Sequence, residues 1–462
     1  MDNSTVKKYL VVMTAVFVLT MLAIVVATNV LDKKNGDENG VFSWANIRDS
    51  FRVDKDTIED QRKAVDGDGT VSPFLSDTET EYITDSESGT VRKGEDTEFF
   101  HAAIFTEKDI QTRNNLGLTD EAVNAACKQN EGRYCYDIID DSLKQLYGEV
   151  YLATVNRMPD APLCTREQTE LDYIYRCVLN DHPEIFSVFG YKCVVHSANG
   201  KPVKTVYNAK YTMTQKEEAV AQKQIDAYTD AFLLGISKTA SEYEKVKYTY
   251  CYLIQNTEYE LESPENQNIC SVMIYHKTVC LGYAKAFQYL LERLGVSSTV
   301  VEGVAASGEA HAWNMVSIDN AYYFVDVTWG DSSYTNGQSV VRMYSGVNFD
   351  YLNITTDELA HSHTIDNVVP IPRCVEIKDN YYVREGLYFD HINSAELSLV
   401  FQKAQANNED YITLKCANDT AYQEMRFYLL DEQKVFDYLP AGTEKLNYGE
   451  NQELHTLTFL LK

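Results

Sequence analysis

The sequence predicts an α+β protein, and three stretches carry that reading. After Cys280, apolar side chains recur at i, i+3 and i+4, the period of one helix face. Residues 312–329 form two β-prone runs around a two-residue turn. Tyr9–Val30 is an uncharged run of 22 residues, enough for a membrane span that needs about 20.

In chain order, the first element is that span. Its apolar run is longer than the roughly 7–15 residues of a signal-peptide core. Val25-Val26-Ala27 resembles a small-residue cleavage site, so an uncleaved signal-anchor is favoured over a cleaved leader without eliminating it. Lys7 and Lys8 precede the run while Lys33 and Lys34 follow it, which leaves the positive-inside rule nearly silent. Residues 32–96 are acidic and rich in Ser, Thr, Gly and Asp, with little periodicity, and read as a largely disordered tether. Inside it, Asp66-Gly-Asp-Gly-Thr-Val71 spells half a calcium loop. The sixth position is Val71 instead of glycine and the twelfth is Asp77 instead of glutamate, so a turn is the better reading.

Residues 97–257 read as a mixed region buttressing a core. Asp140–Val155 and Glu217–Leu234 look helical, and Phe186–Met213 looks β-rich, with Asn199-Gly200 as a hairpin turn. Residues 258–372 hold the core itself. Beyond Pro370-Ile-Pro372, residues 373–462 form a small α+β region. There Tyr381-Tyr-Val383, Tyr411–Lys415 and Leu454–Lys462 are expected as strands, with 394–406 and 420–430 as helices.

In the core, Leu281, Ala284, Phe287, Leu290, Leu291 and Leu294 make one apolar stripe, and Gly295 follows as a C-terminal cap. A helix therefore runs from about Cys280 to Leu294, with Cys280 in its first turn. The two β-prone runs, Ala312–Ile318 and Ala321–Trp329, flank Asp319-Asn320. With that turn Ile318 pairs with Ala321, His311 faces Thr328 and Asp326 faces Trp313. His311 and Asp326 then lie on one face as diagonal neighbours, roughly 7–8 Å apart at the backbone. A one-residue slip would separate them.

Cys280, His311 and Asp326 fall within 47 residues. A thiol is a good nucleophile only as thiolate, and needs a base or a positive field beside it. The start of a helix supplies free N–H groups and the positive end of its dipole, which favour a thiolate and can also hold an oxyanion. An imidazole supplies the base, and a carboxylate fixes its tautomer. The expected contact runs from Asp326 to the Nδ1 of His311, with Cys280 across the ring.

These blocks resemble the transglutaminase-like superfamily, in particular bacterial members of unassigned substrate. The matching pieces are Val279-Cys-Leu-Gly-Tyr-Ala-Lys-Ala-Phe287, Leu294-Gly-Val296, His311-Ala-Trp-Asn314 and Val325-Asp-Val-Thr-Trp329. Weaker likeness reaches Asp181–Phe186, Tyr243–Lys247, Asn256–Tyr259 and Tyr351–Leu359, covering roughly residues 130 to 372. The resemblance implies a papain-like core in which the Cys helix packs on an antiparallel sheet carrying His and Asp. It implies Cys280 as nucleophile, His311 as base and acid, and Asp326 as orienter, with no metal and no organic cofactor. His276-Lys277 departs from relatives, which often have glycine there. Gln267 is a candidate side-chain oxyanion donor, against the plainer reading of a surface glutamine.

The net charge of −28, from 69 acidic and 41 basic residues, argues against nucleic acid as a partner, because phosphate neutralisation needs basic patches. The ten cysteines are scattered without a Cys-x-x-Cys pair, so a zinc site is not expected, and pairing cannot be assigned from spacing. Together these readings point to a membrane-tethered, extracellular cysteine enzyme acting on an amide of a peptide or protein substrate, with hydrolysis favoured. A crosslinking transamidase and a non-catalytic binding module on the same fold are the alternatives.

Overall fold

The computed structural model describes residues 78–84, 92–331, 346–366 and 368–461. Tyr9–Val30, Asp66–Val71 and most of residues 32–96 lie outside that set. Among the described residues no helix is long and apolar enough to cross a membrane. One piece of the expected disordered tether is ordered: Glu79–Thr84 (β1) pairs in parallel with a later strand, with Tyr82 opposite Val195. Six residues with only Tyr82 and Ile83 apolar, side by side, carry little signal of their own, and the strand exists because a distant partner completes its hydrogen bonds.

The N-terminal layer contains helix α1 (Lys144–Val155), strand β2 (Ala161–Leu163), helix α2 (Gln168–Asp181), and the long hairpin β3 (Val188–Ala198) and β4 (Lys201–Tyr211). The sheet order is β1-β3-β4-β2. The expected turn is present: Asn199 has φ 52° and Gly200 φ 74°, the two positive values that match the twist of a tight hairpin. Leu146, Tyr147, Val150, Ile174, Tyr175 and Val178 on the helices pack into one apolar cluster with Tyr191 and Tyr207 on the sheet.

The central unit is built on helices α3 (Gln215–Leu234), α4 (Glu242–Asn256), α5 (Ile269–Met273) and α6 (Cys280–Arg293). Thr214 with Glu217, and Ser241 with Glu244, form reciprocal capping boxes that start α3 and α4. Tyr250, Leu253 and Ile254 of α4 share a cluster with Tyr283, Phe287, Leu290 and Leu291 of α6, so the core takes in α4 as well as residues beyond 258. Against α6 lies a sheet of β5 (Ser298–Ala305), β6 (Ala310–Ile318), β7 (Ala321–Val325), β8 (Leu352–Ile354) and β9 (His363–Ile365), in the order β8-β7-β6-β5-β9. Every residue from Leu281 to Leu291 is buried. The helix is apolar on more than one side because it is sandwiched: Leu281 and Ala284 meet Val300, Ala312 and the N-terminal layer. The Asn314 amide donates to the Ala284 carbonyl at 3.0 Å and ties helix to sheet.

The hairpin register is the expected one. Ile318 pairs with Ala321, and Asp319 (φ 50°) and Asn320 (φ 65°) form the turn. The second strand is shorter than expected, because the β6–β7 ladder ends at Asn314–Val325. Asp326 leaves the strand and caps the short helix α7 (Val327–Gly330), accepting from the Trp329 N–H at 3.0 Å. His311 therefore does not pair with Thr328, nor Asp326 with Trp313. An aspartate able to satisfy a helix-start N–H competes with the ladder, and here it wins.

From β8 the chain passes through α8 (Thr356–Leu359) to β9 on the opposite edge of the sheet. The C-terminal region then forms helix α9 (Tyr381–Glu385), strand β10 (Tyr388–Phe389), helix α10 (Ser394–Ala406), strand β11 (Tyr411–Cys416), helix α11 (Asp419–Arg426), and strands β12 (Tyr448–Asn451) and β13 (Thr456–Leu460). Its sheet order is β10-β11-β13-β12, and it has an apolar cluster of its own, including Leu397, Phe401, Leu414, Leu457 and Phe459. Tyr381-Tyr-Val383, expected as strand, is helical. Asn380 caps its start and Gly386, at φ 73°, closes its end, so the two caps override the β-propensity between them.

Candidate active site

Cys280 is the first residue of α6, after Val279 in extended conformation (φ −113°). The first main-chain bond of the helix runs from the Tyr283 N–H to the Val279 carbonyl at 3.1 Å, so the N–H groups of Cys280, Leu281 and Gly282 have no acceptor within the helix. The loop before the helix presses on its first turn. A Cβ on Gly282 would sit 1.9 Å from Thr278 Oγ1, 2.7 Å from Ser271 Oγ and 2.9 Å from the Asn266 carbonyl. Only glycine allows that approach. His276, where the resemblance suggested glycine, has φ 56°, the left-handed region that glycine adopts most cheaply. Its ring packs against Tyr228, with centroids 5.8 Å apart.

His311 projects from β6 and is 6% exposed. Its Nε2 donates to Asp326 Oδ2 at 2.8 Å, so the orienting contact uses Nε2 and not the expected Nδ1. The cause is the early end of β7: from its capping position the Asp326 carboxylate meets the far end of the ring. Cys280 lies close enough to the same imidazole to help hold its proton, and Nδ1 is the ring nitrogen that Asp326 leaves free. Burial by itself lowers the pKa of His311, but the charge and hydrogen bond of Asp326, with Cys280 adding to them, outweigh burial and raise it to about 10. Burial likewise raises Asp326, and the two imidazoles that bond it reverse the sign, holding the carboxyl well below its ordinary range.

The second imidazole is His363, which the sequence reading missed. Its side chain is wholly buried. Nε2 lies 3.0 Å from Asp326 Oδ2 and Nδ1 lies 2.8 Å from Ser362 Oγ. Trp313 and Trp329 enclose the ring at centroid distances of 4.8 and 4.7 Å. Gly303 on β5 lets β9 approach, since a Cβ there would stand 2.0 Å from the Thr364 carbonyl. The family likeness faded at Leu359, four residues upstream, and a three-residue strand has no period to read.

The ligand-capable atoms of His311, Asp326 and His363 lie within 4.8 Å of one another. Both nitrogens sit at N–H···O spacing from one carboxylate oxygen, at 2.8 and 3.0 Å. A nitrogen that donates its hydrogen to Asp326 has no lone pair left for a cation, so the donor set describes a hydrogen-bonded carboxylate. Gln267, the candidate oxyanion donor, is exposed on the loop before α5. It lines a cavity of about 250 Å³ together with Leu281 and Lys285, one residue and just over one helical turn beyond Cys280. All ten cysteines are free thiols. Burial pushes Cys193, Cys270, Cys374 and Cys416 up to about 12 and Cys251 to about 11, whereas Cys280 is partly exposed.

Residues 226–327 match the profile of the Transglutaminase-like superfamily. The Kyphoscoliosis peptidase of Mus musculus is 27% identical over 111 residues, and that of Homo sapiens is 25% identical over the same length. Both alignments take in 21% of this chain, which spans only 17% of the length of these curated relatives. A solved TGase is 19% identical, over 30% of this chain and 44% of its own, with a TM-score of 0.23. A solved chain described as a proposed cysteine protease of Cytophaga hutchinsonii is 17% identical, over 27% of this chain and 51% of its own, with a TM-score of 0.21.

Proposed function

The chain carries a domain of the transglutaminase-like superfamily, and we propose that this domain is a cysteine enzyme that cleaves an amide bond through a thioester intermediate. The observation that carries the reading is the line from Asp326 through His311 to Cys280, with one ring nitrogen on the carboxylate and the thiol close enough to the ring to add to its proton affinity. The Cys280 thiolate attacks the amide carbonyl carbon, and the N–H groups opening α6 hold the oxyanion. His311 passes its proton to the leaving nitrogen as the C–N bond breaks, giving a free amine and a thioester on Cys280. Water then attacks the thioester and gives its proton to His311. The acid departs, and the thiolate–imidazolium pair returns.

Hydrolysis is the favoured outcome, and the curated relatives' designation as peptidases supports it. An amine in place of water would make the same thioester a transamidation intermediate. The uncharged run Tyr9–Val30 supports a single-pass membrane tether, and a catalytic domain outside the cell follows from the family resemblance alone. Substrate is taken to be a peptide or protein.

The test is to digest a denatured protein mixture in ¹⁸O water, with and without a biotinylated primary amine, and to map the products by mass spectrometry. Hydrolysis leaves ¹⁸O at new carboxyl ends, transamidation leaves biotin on acyl donors, and Cys280→Ala abolishes both. A wild-type chain that makes neither product, and whose Cys280 reacts with iodoacetamide no faster at pH 6 than Cys127 or Cys251, is a non-catalytic module.

A further inference from the structure

The three donors around Asp326 leave its carboxylate no freedom. Oδ1 accepts from the Trp329 N–H at 3.0 Å, and Oδ2 accepts from His311 at 2.8 Å and His363 at 3.0 Å. The Trp329 N–H is main chain and fixes where the carboxylate sits. Rotation about its last bond is set by what holds Oδ2, and His363 is the donor there that has no contact with the thiol. We propose that His363 is a positioning residue, whose Nε2–H locks the Asp326 carboxylate in the rotation that presents Oδ2 to His311. The inference rests on the catalytic roles proposed above, and it adds a fourth member that acts through the third.

The surroundings of His363 fix its tautomer. A carboxylate only accepts, so the hydrogen must be on Nε2. The bare Nδ1 then takes the Ser362 hydroxyl at 2.8 Å, and the Tyr351 side chain hydrogen-bonds Ser362 in turn. The groups facing the ring are His311 and Trp313 from β6, Trp329 and Asp326 from α7 and its cap, Tyr351 from the turn before β8, and Ser362 beside it in sequence. Among the described residues Asp326 is the anion that bonds it, and His311 claims that charge. Two imidazoliums on one buried carboxylate would leave a positive charge uncompensated, which a dry site tolerates poorly.

Two substitutions separate positioning from packing. His363→Phe keeps the aromatic volume between Trp313 and Trp329 but removes the donor. His363→Gln returns an N–H near the Nε2 position. Each is made in the full chain on a Cys280→Ala background, and His311 is titrated by NMR, so the readout does not depend on turnover. Each is also made with Cys280 intact, and alkylation of Cys280 by iodoacetamide is followed at pH 6. His363→Phe should lower the His311 midpoint by at least one pH unit and slow alkylation tenfold or more, the size of one hydrogen bond to a charged group. His363→Gln should recover most of both.

An unchanged His311 midpoint in His363→Phe overturns the proposal, as does a His363→Gln chain that behaves like His363→Phe. If His363→Phe does not fold, the wild-type chain decides. Its His363 must hold the Nε2–H tautomer, and the other tautomer refutes the assignment. A Cys280 that is sluggish in wild type, while the His311 midpoint still follows His363, defeats the proposed enzyme and spares the positioning role.

Discussion

Replacing the Asp326 carboxylate by an amide tests the electrostatics of the site with little change in shape. Asp326→Asn is nearly isosteric but keeps a single accepting oxygen: with that oxygen on the Trp329 N–H the α7 cap stays in place, and the amide nitrogen faces His311 and His363. What goes is the charge. In the native site the His311 pKa rises from its ordinary 6.5 to about 10, a preference for imidazolium of about 5 kcal/mol. Burial opposes that rise and would be countered only by Cys280 in the variant, so the midpoint should fall to 6.5 or below.

The consequence appears at the thiol, because an imidazolium across the hydrogen bond is what stabilises a thiolate there. An unassisted cysteine, with a pKa of about 8.5, is well under 1% thiolate at pH 6, and a thiolate–imidazolium pair at the same pH is largely ionised. Alkylation of Cys280 at pH 6 should therefore be about a hundredfold slower in Asp326→Asn, with the difference closing above pH 9. The assay is the second-order rate with iodoacetamide from pH 5.5 to 9.5, assigned to Cys280 by peptide mapping. Buried thiols pushed up by desolvation, such as Cys374 and Cys416, provide internal references. Superimposable curves for the two proteins would refute Asp326 as the orienter.

The same ion pair gives stability a pH signature. His311 is raised, so its contribution is complete below about 6.5 and is lost as the pH climbs through about 10; Asp326 is depressed, so its contribution is complete above 3.8 and is lost as the pH falls through its native value. Urea midpoints of wild type minus Asp326→Asn should thus be largest near pH 4–6.5 and shrink on both sides; a difference that grows toward pH 10 would contradict the assignment. Gly282→Ala should cost about 1–3 kcal/mol by overpacking, read as a lower melting temperature, because the new Cβ meets Thr278 Oγ1 at 1.9 Å and that hydroxyl is held by Ser271 at 2.6 Å. An unchanged melting temperature would mean that the loop before α6 yields freely. Cys280→Ala should fold with the native circular-dichroism spectrum and lose at least a thousandfold in turnover. Removal of residues 1–31 should yield a chain that stays in solution without detergent and keeps its Cys280 reactivity, and aggregation of the truncated chain would count against Tyr9–Val30 as a detachable anchor.

Much of the site was legible because its signals are local. The apolar stripe from Leu281 to Leu294 foretold α6 to within one residue of its end at Arg293, and Asp319-Asn320 fixed the hairpin register, since only one turn length puts both residues at positive φ. Competition between neighbouring rules hid the rest. Val325-Asp-Val-Thr-Trp329 is as β-prone as its neighbours, and only the Trp329 N–H, which Asp326 can satisfy as a cap, diverts the chain into α7. That diversion decides which ring nitrogen meets the carboxylate. His363 was illegible for a different reason. Its strand pairs only with β5 across the sheet, and its role depends on Gly303, Trp313 and Trp329, none of which is near it in sequence. Glu79–Thr84 was lost in the same way, because a strand defined by its partner has no pattern of its own.

The passage of the chain from β8 to β9 also sets a timetable. Within nine residues it travels from one edge of the sheet to the other, past the end where His311 and Asp326 meet. On its way Glu358 of α8 pairs with Lys415 of β11 at 2.7 Å, which fastens the crossing to the C-terminal sheet. A growing chain that has emerged as far as Asp331 already holds a thiol, an imidazole and a carboxylate in one hairpin-and-helix unit. It still lacks the edge strand that grips the carboxylate and the brace that holds the crossing. Domains made in sequence tend to fold in sequence, so in that order His363 and the Glu358–Lys415 brace join the hairpin-and-helix unit after its three side chains are already made.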